Sequence, residues 1–313
     1  LVVTGAALHA HRQGADSGAA ILRDAADGHL FAFGISEPGN EAMLFDSFTT
    51  SARDGEDLLL HGTKIFTSLS PVWTRLVMHA ALPLEETADA ADGDARLVFG
   101  VLERGEGIEI ANDWDTHGMR ATQSATTRLD GARLPAGRIL TTTPVGPNLD
   151  PFVFGIFGVF ELLLAAVYTG IAERAVEVGT QIATTRRSRT RDIVHADDPD
   201  IRWRIADAAI RADGARLQIE KVAADLDRIG DADVPEPGPR WFLDFSGVKS
   251  RATESAIAAV DQVLRASGGS HYFRGSELER LSRDVRAGMY HPSDEESVHA
   301  SYAKALLGEL GSR

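Results

Sequence analysis

The hydrophobic pattern of this chain changes period once, and that change constrains the fold more than any other feature. From Leu30 onward, short apolar or β-branched runs are cut by Asp-Gly and Arg-Gly turns: Leu30-Phe31-Ala32-Phe33, Leu58-Leu59-Leu60, Leu76 to Leu82, Leu97 to Leu102 and Ile108-Glu109-Ile110. Such runs describe a compact antiparallel β-domain. After Pro135-Ala136-Gly137 the strand signals fade, and Val153 to Ser188, Pro199 to Ile229, Arg240 to Ala266 and Leu278 to Ala287 show helical spacing. In the third of these, Ala252, Ala256, Ala259, Val260, Val263 and Leu264 form one stripe, as an amphipathic helix requires. The expectation is an α+β chain. Residues 1–29 read as the helical end of a preceding domain, 30–140 as a β-domain and 141–313 as a four-helix bundle. Glu85 to Asp94 reads as a solvated acidic hairpin loop, and Gly230 to Pro239 as a linker.

Composition removes several functions. A net charge of −14 argues against nucleic acid, which needs a basic footprint. The chain has no cysteine, so disulfides, thiol catalysis and zinc–thiolate sites are excluded, in keeping with a cytoplasmic protein. The long apolar run from Pro151 to Val167 is broken by Glu161 and bounded by Asp150 and Glu173; a buried helix is expected rather than a membrane span. No basic n-region precedes an apolar block at the start, and Leu1 stands where a Met would, so no signal peptide is expected.

Two segments carry the strongest chemical signal. Gly34-Ile35-Ser36-Glu37-Pro38-Gly39 is a turn leaving a strand, and Gly62-Thr63-Lys64-Ile65-Phe66-Thr67-Ser68 ends another strand in an aromatic and a hydroxyl. A Pro-Gly step can hold backbone N–H groups at a ligand. In this order and spacing they resemble the flavin-holding β-domain of acyl-CoA dehydrogenases. Later segments add to the resemblance: Gly170-Ile-Ala-Glu-Arg-Ala-Val176, the arginines Arg186-Arg187, Ser267-Gly268-Gly269-Ser270, and Leu278-Glu279-Arg280-Leu281-Ser282-Arg283-Asp284. It spans essentially the whole chain, with most of the family's helical N-terminal domain absent. The resemblance implies FAD as cofactor, with Ser36, Phe66 and Ser68 at the isoalloxazine. It also implies an arginine on the first bundle helix gripping the pyrophosphate in a neighbouring subunit. Arg186, Arg187 and Arg189 are the choices, Arg186 first, with Gly268 and Gly269 letting backbone N–H groups approach a phosphate. It further implies a homodimer or homotetramer, an electron-accepting flavoprotein or reductase, and an acyl-CoA or other small-molecule substrate.

The departures from the family pattern bear on the chemistry. Dehydrogenation of an acyl-CoA needs a base for the α-proton, commonly a glutamate just after the Arg-Asp helix. Here that turn reads His291-Pro292-Ser293-Asp294, and proline cannot take a proton. Two replacements present themselves. Glu161 lies within one residue of the base position of another subgroup, an offset that rotates a helical side chain by about 100°; its plainer reading is a helix-face glutamate paired with an arginine. His291 is of the residue type that ordinarily titrates near neutrality; its plainer reading is a loop-bridging histidine. The family's Gly-Ala-Gly-Ser-Asp is also replaced, by Gly39-Asn40-Glu41-Ala42-Met43. The expected activity is acyl-CoA dehydrogenation with Glu161 or His291 as base. Its alternatives are a flavin monooxygenase of the same fold using Ser68 and His291, and a catalytically silent subunit assembled with an active homologue.

Overall fold

The structure is a computed structural model describing residues 1–82 and 95–310, so the expected Glu85–Asp94 loop lies outside the described residues. The chain divides into two compact units, Leu1–Thr116 with Arg120–Val159, and His117–Met119 with Phe160–Arg313.

The first unit opens with helices α1 (Val2–Arg12) and α2 (Ser17–Ala26), the latter ending at Asp27-Gly28. Eight strands follow: β1 (Phe31–Gly34), β2 (Thr50–Asp54), β3 (Asp57–Lys64), β4 (Arg75–Ala81), β5 (Arg96–Glu103), β6 (Ile108–Ile110), β7 (Thr127–Leu134) and β8 (Ile139–Pro144). They form one sheet of order β6-β7-β3-β2-β4-β5-β8, with β1 on β4. The sheet is mostly antiparallel, but β1 pairs with β4 in parallel, and β2 and β4 share one parallel pair. The reason is topological: the β2–β3 hairpin intervenes between β1 and β4, so the chain returns to β1 in the same direction. Strand β8 lies where strand signals were expected to have faded; Ile139-Leu-Thr-Thr-Thr143 is a β-branched run, and it pairs with β5.

Strands β4 and β5 read as unbroken apolar runs because both of their faces are covered. Val77, Leu97, Phe99 and Val101 pack with Val3, Ala6, Ile21 and Phe152, whereas Leu76, Met78, Val98 and Leu102 pack with Leu60, Trp73, Leu129 and Leu134. Period-2 alternation therefore persists inside a run that looks uniformly hydrophobic.

Helix α3 (Pro151–Thr185) gives its first nine residues to the first unit and the rest to the second. It is long and apolar enough to cross a membrane by length and composition, yet Phe152, Val153, Phe154 and Ile156 are buried in one core and Tyr168, Ala172 and Ala175 in another. The second unit continues through a two-strand hairpin, β9 (Arg187–Ser188) and β10 (Ile193–Val194), to α4 (Pro199–Asp227) and α5 (Pro239–Ser267). It ends with α6 (Glu277–Asp284), a 3₁₀ turn at Val285–Met289, and α7 (Glu295–Leu307). Asp198 caps α4 by accepting from the N–H groups of Asp200 and Ile201, ahead of Pro199 at the first helical position, as helix starts favour. Helix α7 lies beyond the last stretch in which helical spacing was read, Leu278 to Ala287; Asp294 caps it, with Glu295 and Glu296 in its first turn, where the helix dipole favours acids. The segment His117–Met119 is held to α6: Met119 N–H donates to Asp284 at 2.7 Å. Gly118 is required there, since a Cβ would stand 2.4 Å from the Arg283 carbonyl oxygen.

One buried ion pair joins the two first-unit motifs. Lys64 Nζ donates to Glu37 at 2.6 Å, with both side chains essentially inaccessible. Glu37 accepts further bonds from Asn40, Ser47, Phe48 N–H, Thr49 N–H and the Thr49 hydroxyl. Burial alone would raise the Glu37 pKa, but the Lys64 charge and these donors outweigh it and hold the carboxyl well below 4.5. Burial pulls Lys64 down to about 8 despite Glu37. The carboxylate is thus the better-served partner, and the pair is charged at neutral pH. His79, lowered to about 4 by burial and the Lys64 charge, is neutral beside Lys64, its Nε2–H donating to the Met43 carbonyl at 2.8 Å. Removing one partner of such a pair strands a buried charge. Lys64→Met is therefore expected to cost about 3–5 kcal/mol in denaturant unfolding, and Glu37→Gln combined with Lys64→Met to cost clearly less. The sign of the pH effect follows from the depressed Glu37 pKa: its stabilisation is present above about pH 4.5 and lost as the pH falls below that value. Acid titrations of stability should show a shallower slope in the Glu37→Gln/Lys64→Met protein.

Candidate functional site

On the first unit, the ends of β1 and β3 lie side by side. The Ile65 N–H donates to the Ser36 carbonyl at 2.9 Å, and the Glu37–Lys64 pair locks the same two segments, so the structure brings Ser36, Phe66 and Ser68 into one locality. Phe66 has φ 57° and Leu69 φ 66°, left-handed values that are costly for such side chains and concentrate at ligand sites. The Phe66 ring is exposed and meets Trp114 edge-on, with centroids 6.2 Å apart. The Ser68 hydroxyl pairs with Ser124 at 2.8 Å, and Ser124 with Thr122 at 2.8 Å. This hydroxyl row stands beside Gln123, another left-handed residue at φ 47°. Ser124, Thr122 and Trp114 complete the locality; Trp114 opens a stretch, Trp114 to Arg120, that resembles a family strand preceding the bundle, whereas no turn or periodicity signal marks Thr122 and Ser124. Arg120 donates to the Thr116 carbonyl at 2.8 Å.

On the second unit, both candidate bases belong to one buried polar network. Lys249, almost wholly buried in α5, donates to the carbonyls of Gly288, His291 and Ser293 at 3.0, 3.1 and 3.1 Å. It thereby clamps the loop between α6 and α7. Ser293, at φ 56°, donates to Glu161 at 2.6 Å and pairs with Ser246 at 3.1 Å. Glu161 is 1% exposed, and its second carboxyl oxygen has no hydrogen-bond partner among the described residues. Burial raises its pKa to about 7, against the Ser293 hydrogen bond and the Lys249 charge. The partners of Glu161 are thus a serine and, electrostatically, a lysine rather than an arginine. His291 Nδ1 lies 2.7 Å from the Tyr168 hydroxyl. Burial and the nearby Lys249 lower His291 to about 4, while burial and then Asp284 push Tyr168 above its ordinary value. Tyr168 therefore keeps its proton and His291 is neutral; with Tyr168 as the donor of their shared hydrogen bond, the imidazole proton stands on Nε2. The chain has four lysines, Lys64, Lys221, Lys249 and Lys304. Sequence reasoning missed Lys249, which stands between Val248 and Ser250-Arg251 in α5, where a lysine reads as a surface residue.

The third group gathers the expected phosphate residues. Helix α3 ends at Thr185, so Arg186 follows the helix rather than lying along it; Thr184 and Thr185 turn their hydroxyls back onto carbonyls of the last turn, which competes with helix continuation. Arg186 donates to the Ser267 carbonyl at 2.7 Å and to the Ser270 hydroxyl at 3.4 Å. Gly268 has φ 78°, and a Cβ there would stand 3.2 Å from the Arg186 guanidinium. Arg187 is instead paired with Asp192. Among the three arginines, then, Arg186 is the one packed on the Gly268-Gly269 turn. A glycine turn with an arginine over it fits a phosphate, and the exposed ring and hydroxyl row of the first unit fit the face and edge of a flavin.

Comparison with known proteins agrees with this frame. The family model for the acyl-CoA dehydrogenase C-terminal domain matches residues 162–294. The chain is 31% identical over 231 residues to L-evernosamine nitrososynthase of Micromonospora sp., covering 74% of this chain and 52% of that protein; it spans about half the length of the curated relatives it matches first. Among solved structures, KijD3 in complex with FMN and dTDP-3-amino-2,3,6-trideoxy-4-keto-3-methyl-D-glucose superposes with a TM-score of 0.79 at 25% identity, over 98% of this chain and 74% of that one. Butyryl-CoA dehydrogenase from Megasphaera elsdenii superposes with a TM-score of 0.75 at 20% identity, over 89% and 68%, a likeness of fold. Motifs, sheet, helices and relatives converge, and the chain belongs to the acyl-CoA dehydrogenase-like flavoproteins.

Proposed function

We propose that this chain is the flavin-holding part of a flavin-dependent monooxygenase that oxidises the nitrogen of a polar amine, an amino sugar carried on a nucleotide being the favoured class. The observation that carries this reading is the state of the two base positions. Pro292 occupies one, and Glu161, beside the other, is sealed in the protein with an oxygen held by Ser293. The histidine of the same loop is neutral and braced by Tyr168. Relatives named as nitrososynthases, and a solved neighbour holding FMN with an amino-sugar nucleotide, support the same direction. Overall, one oxygen atom of O₂ enters an N–H bond and the other leaves as water, with two electrons supplied through a partner reductase and two protons taken up from solvent.

The bound flavin would supply the two-electron chemistry. The residues of the chain do the rest. Phe66 would cover the ring face, and Ser68, oriented by Ser124 and Thr122, would donate at its edge. His291 Nε2–H would donate toward the reacting oxygen while Tyr168 holds the ring in that tautomer. Arg186 and the Gly268-Gly269 turn would take the pyrophosphate of FAD, the flavin favoured for this chain; FMN has no pyrophosphate to reach them. Arg186→Ala should then weaken FAD binding about tenfold, one charge-assisted hydrogen bond, and leave FMN binding unchanged in fluorescence titrations.

The acyl-CoA dehydrogenase reading keeps one supporting observation, the Glu161 pKa of about 7, suited to a general base. Activity assays on the full-length, flavin-loaded protein separate the two. With reduced flavin, oxygen and an amino-sugar nucleotide, His291→Ala should lower turnover by about 10²–10⁴, and Glu161→Gln should largely retain it. Since His291 is lowered to about 4, the wild-type rate should be level from pH 6 to 8 and fall only in more acid buffer. Anaerobic bleaching of the flavin by acyl-CoAs, lost in Glu161→Gln and rising through pH 7, would establish dehydrogenation instead.

A further inference from the structure

Two residues beyond His291, the Ser293 side chain joins the loop to two helices. Its hydroxyl lies 2.6 Å from a carboxyl oxygen of Glu161 on α3 and 3.1 Å from the Ser246 hydroxyl on α5. A hydroxyl donates one proton and accepts others, so both bonds form at once whether the Glu161 carboxyl is charged or neutral. The Ser293 backbone is left-handed, at φ 56°, a conformation that a residue with a Cβ keeps only when its surroundings impose it. Here the hydroxyl is bound on one side and the carbonyl accepts from Lys249 at 3.1 Å on the other. Between Ser293 and the imidazole stands Pro292, which fixes its own φ and steers His291 away from helical backbone. Proline at this position thus removes a base and stiffens the link from Ser293 to His291.

We infer that Glu161 is a positioning residue: through the Ser293 hydroxyl it pins the Pro292-Ser293 turn, and so sets where the His291 ring stands and which ring nitrogen carries the proton. The inference rests on the role given to His291 under the proposed function and names the residues that this role requires. Tyr168, which grips the ring at Nδ1 from 2.7 Å, stands seven residues after Glu161 on α3. That spacing drifts by only about 20° around a helix, so one face of α3 holds the imidazole and, one helical repeat away, the turn that follows it. Lys249 on α5 takes the carbonyls of His291 and Ser293. The imidazole is therefore held at its ring, at its own carbonyl and at the side chain two residues on, and it cannot swing without breaking a buried hydrogen bond. The burial of Glu161 fits this role. A base has to meet its substrate, whereas an acceptor for Ser293 needs only to be sealed from water, and Glu161 is 1% exposed.

The two roles open to Glu161 order its conservative variants in opposite ways, and the full-length, flavin-loaded protein tests the order. Glutamine keeps an oxygen at the same reach, so Glu161→Gln should hold the turn and most of the turnover. Glu161→Asp keeps the acid but is one methylene short. With reduced flavin, oxygen and an amino-sugar nucleotide it should lower kcat about a hundredfold, the effect of a misplaced catalytic group, and leave KM unchanged. Ser293→Gly should do the same; glycine adopts left-handed backbone without strain, so this variant keeps the turn and removes only the hydroxyl. Nitrogen NMR of histidine-labelled protein supplies a readout that a merely structural role would not move, the His291 signals being identified by their loss in His291→Gln. The wild type and Glu161→Gln should show one tautomer, with the proton on Nε2. Glu161→Asp and Ser293→Gly should show a mixture of tautomers that titrates near the ordinary histidine value of about 6.5, as a ring released from Tyr168 and Lys249 would. An active Glu161→Asp beside an inactive Glu161→Gln would overturn the inference and make Glu161 a base. Full turnover with a single tautomer in Ser293→Gly would overturn it too. The spectra need no substrate: a wild type that oxidises no amine, yet shows the tautomer change in Ser293→Gly, would remove the proposed function and uphold the positioning.

Discussion

The first unit depends on the bond between Glu37 and Lys64. Two charges with almost no solvent are costly to bury, and their attraction offsets that cost only when every remaining lone pair and proton is used. Glu37 meets the condition with six hydrogen bonds. Those donors come from residues 40–49 and from β3, so the carboxylate gathers the loop between β1 and β2 and the end of β3 around one point. Satisfying the charge and building the edge proposed to face the flavin are therefore the same act: the loop geometry that serves Glu37 also fixes where Ser36 and Phe66 stand. Left-handed backbone at Phe66 and Leu69 persists because the surrounding bonds over-determine it.

The second unit solves a similar problem differently. Lys249 is satisfied by three carbonyls of a single loop rather than by a carboxylate at bonding distance, and Glu161 is left with one oxygen bonded and one bare. Such a carboxyl lowers its cost by holding a proton more tightly, which is why its pKa climbs toward neutrality. The loop is held by the same bonds that satisfy the buried Lys249. Its carbonyls are turned inward, Ser293 is forced into left-handed backbone, and His291 is left with a fixed ring and one donor.

Much of this was legible in the sequence. The change of hydrophobic period places the sheet before the helices, and the Ser36-Glu37-Pro38-Gly39 and Gly62 to Ser68 segments locate the edge where the first-unit residues converge. What stayed hidden was hidden for physical reasons. Strands β2 and β7 carry charged residues on exposed positions and so lack a clean apolar run. Helix α7 begins in Glu295-Glu296, which reads as a loop until the Asp294 cap is seen. Lys249 breaks no pattern strongly enough to be noticed, because a single lysine in a helix is ordinarily a surface residue; only the carbonyls that converge on it reveal its role. The hydroxyl row of Ser68, Ser124 and Thr122 joins residues more than fifty positions apart, and no spacing rule foretells it.

The segment that departs most from the family pattern after Pro38 is also among the best bonded. Asn40 donates to Glu37 at 2.8 Å and to the Asp46 carbonyl at 3.0 Å, while its own carbonyl oxygen accepts from the N–H groups of Ala42 and Met43 at 3.0 and 3.1 Å. The resulting turn puts Met43 in left-handed backbone, at φ 50°, and leaves its carbonyl for His79, the neighbour of Lys64. The altered residues are thus wired into the central ion pair instead of hanging loose from it. A loop that had merely lost its substrate contacts would not need such a lattice of bonds. Under the proposed function, its rebuilding beside the edge formed by Ser36 and Phe66 fits a change of substrate within a retained cofactor frame, and it weighs against a silent subunit.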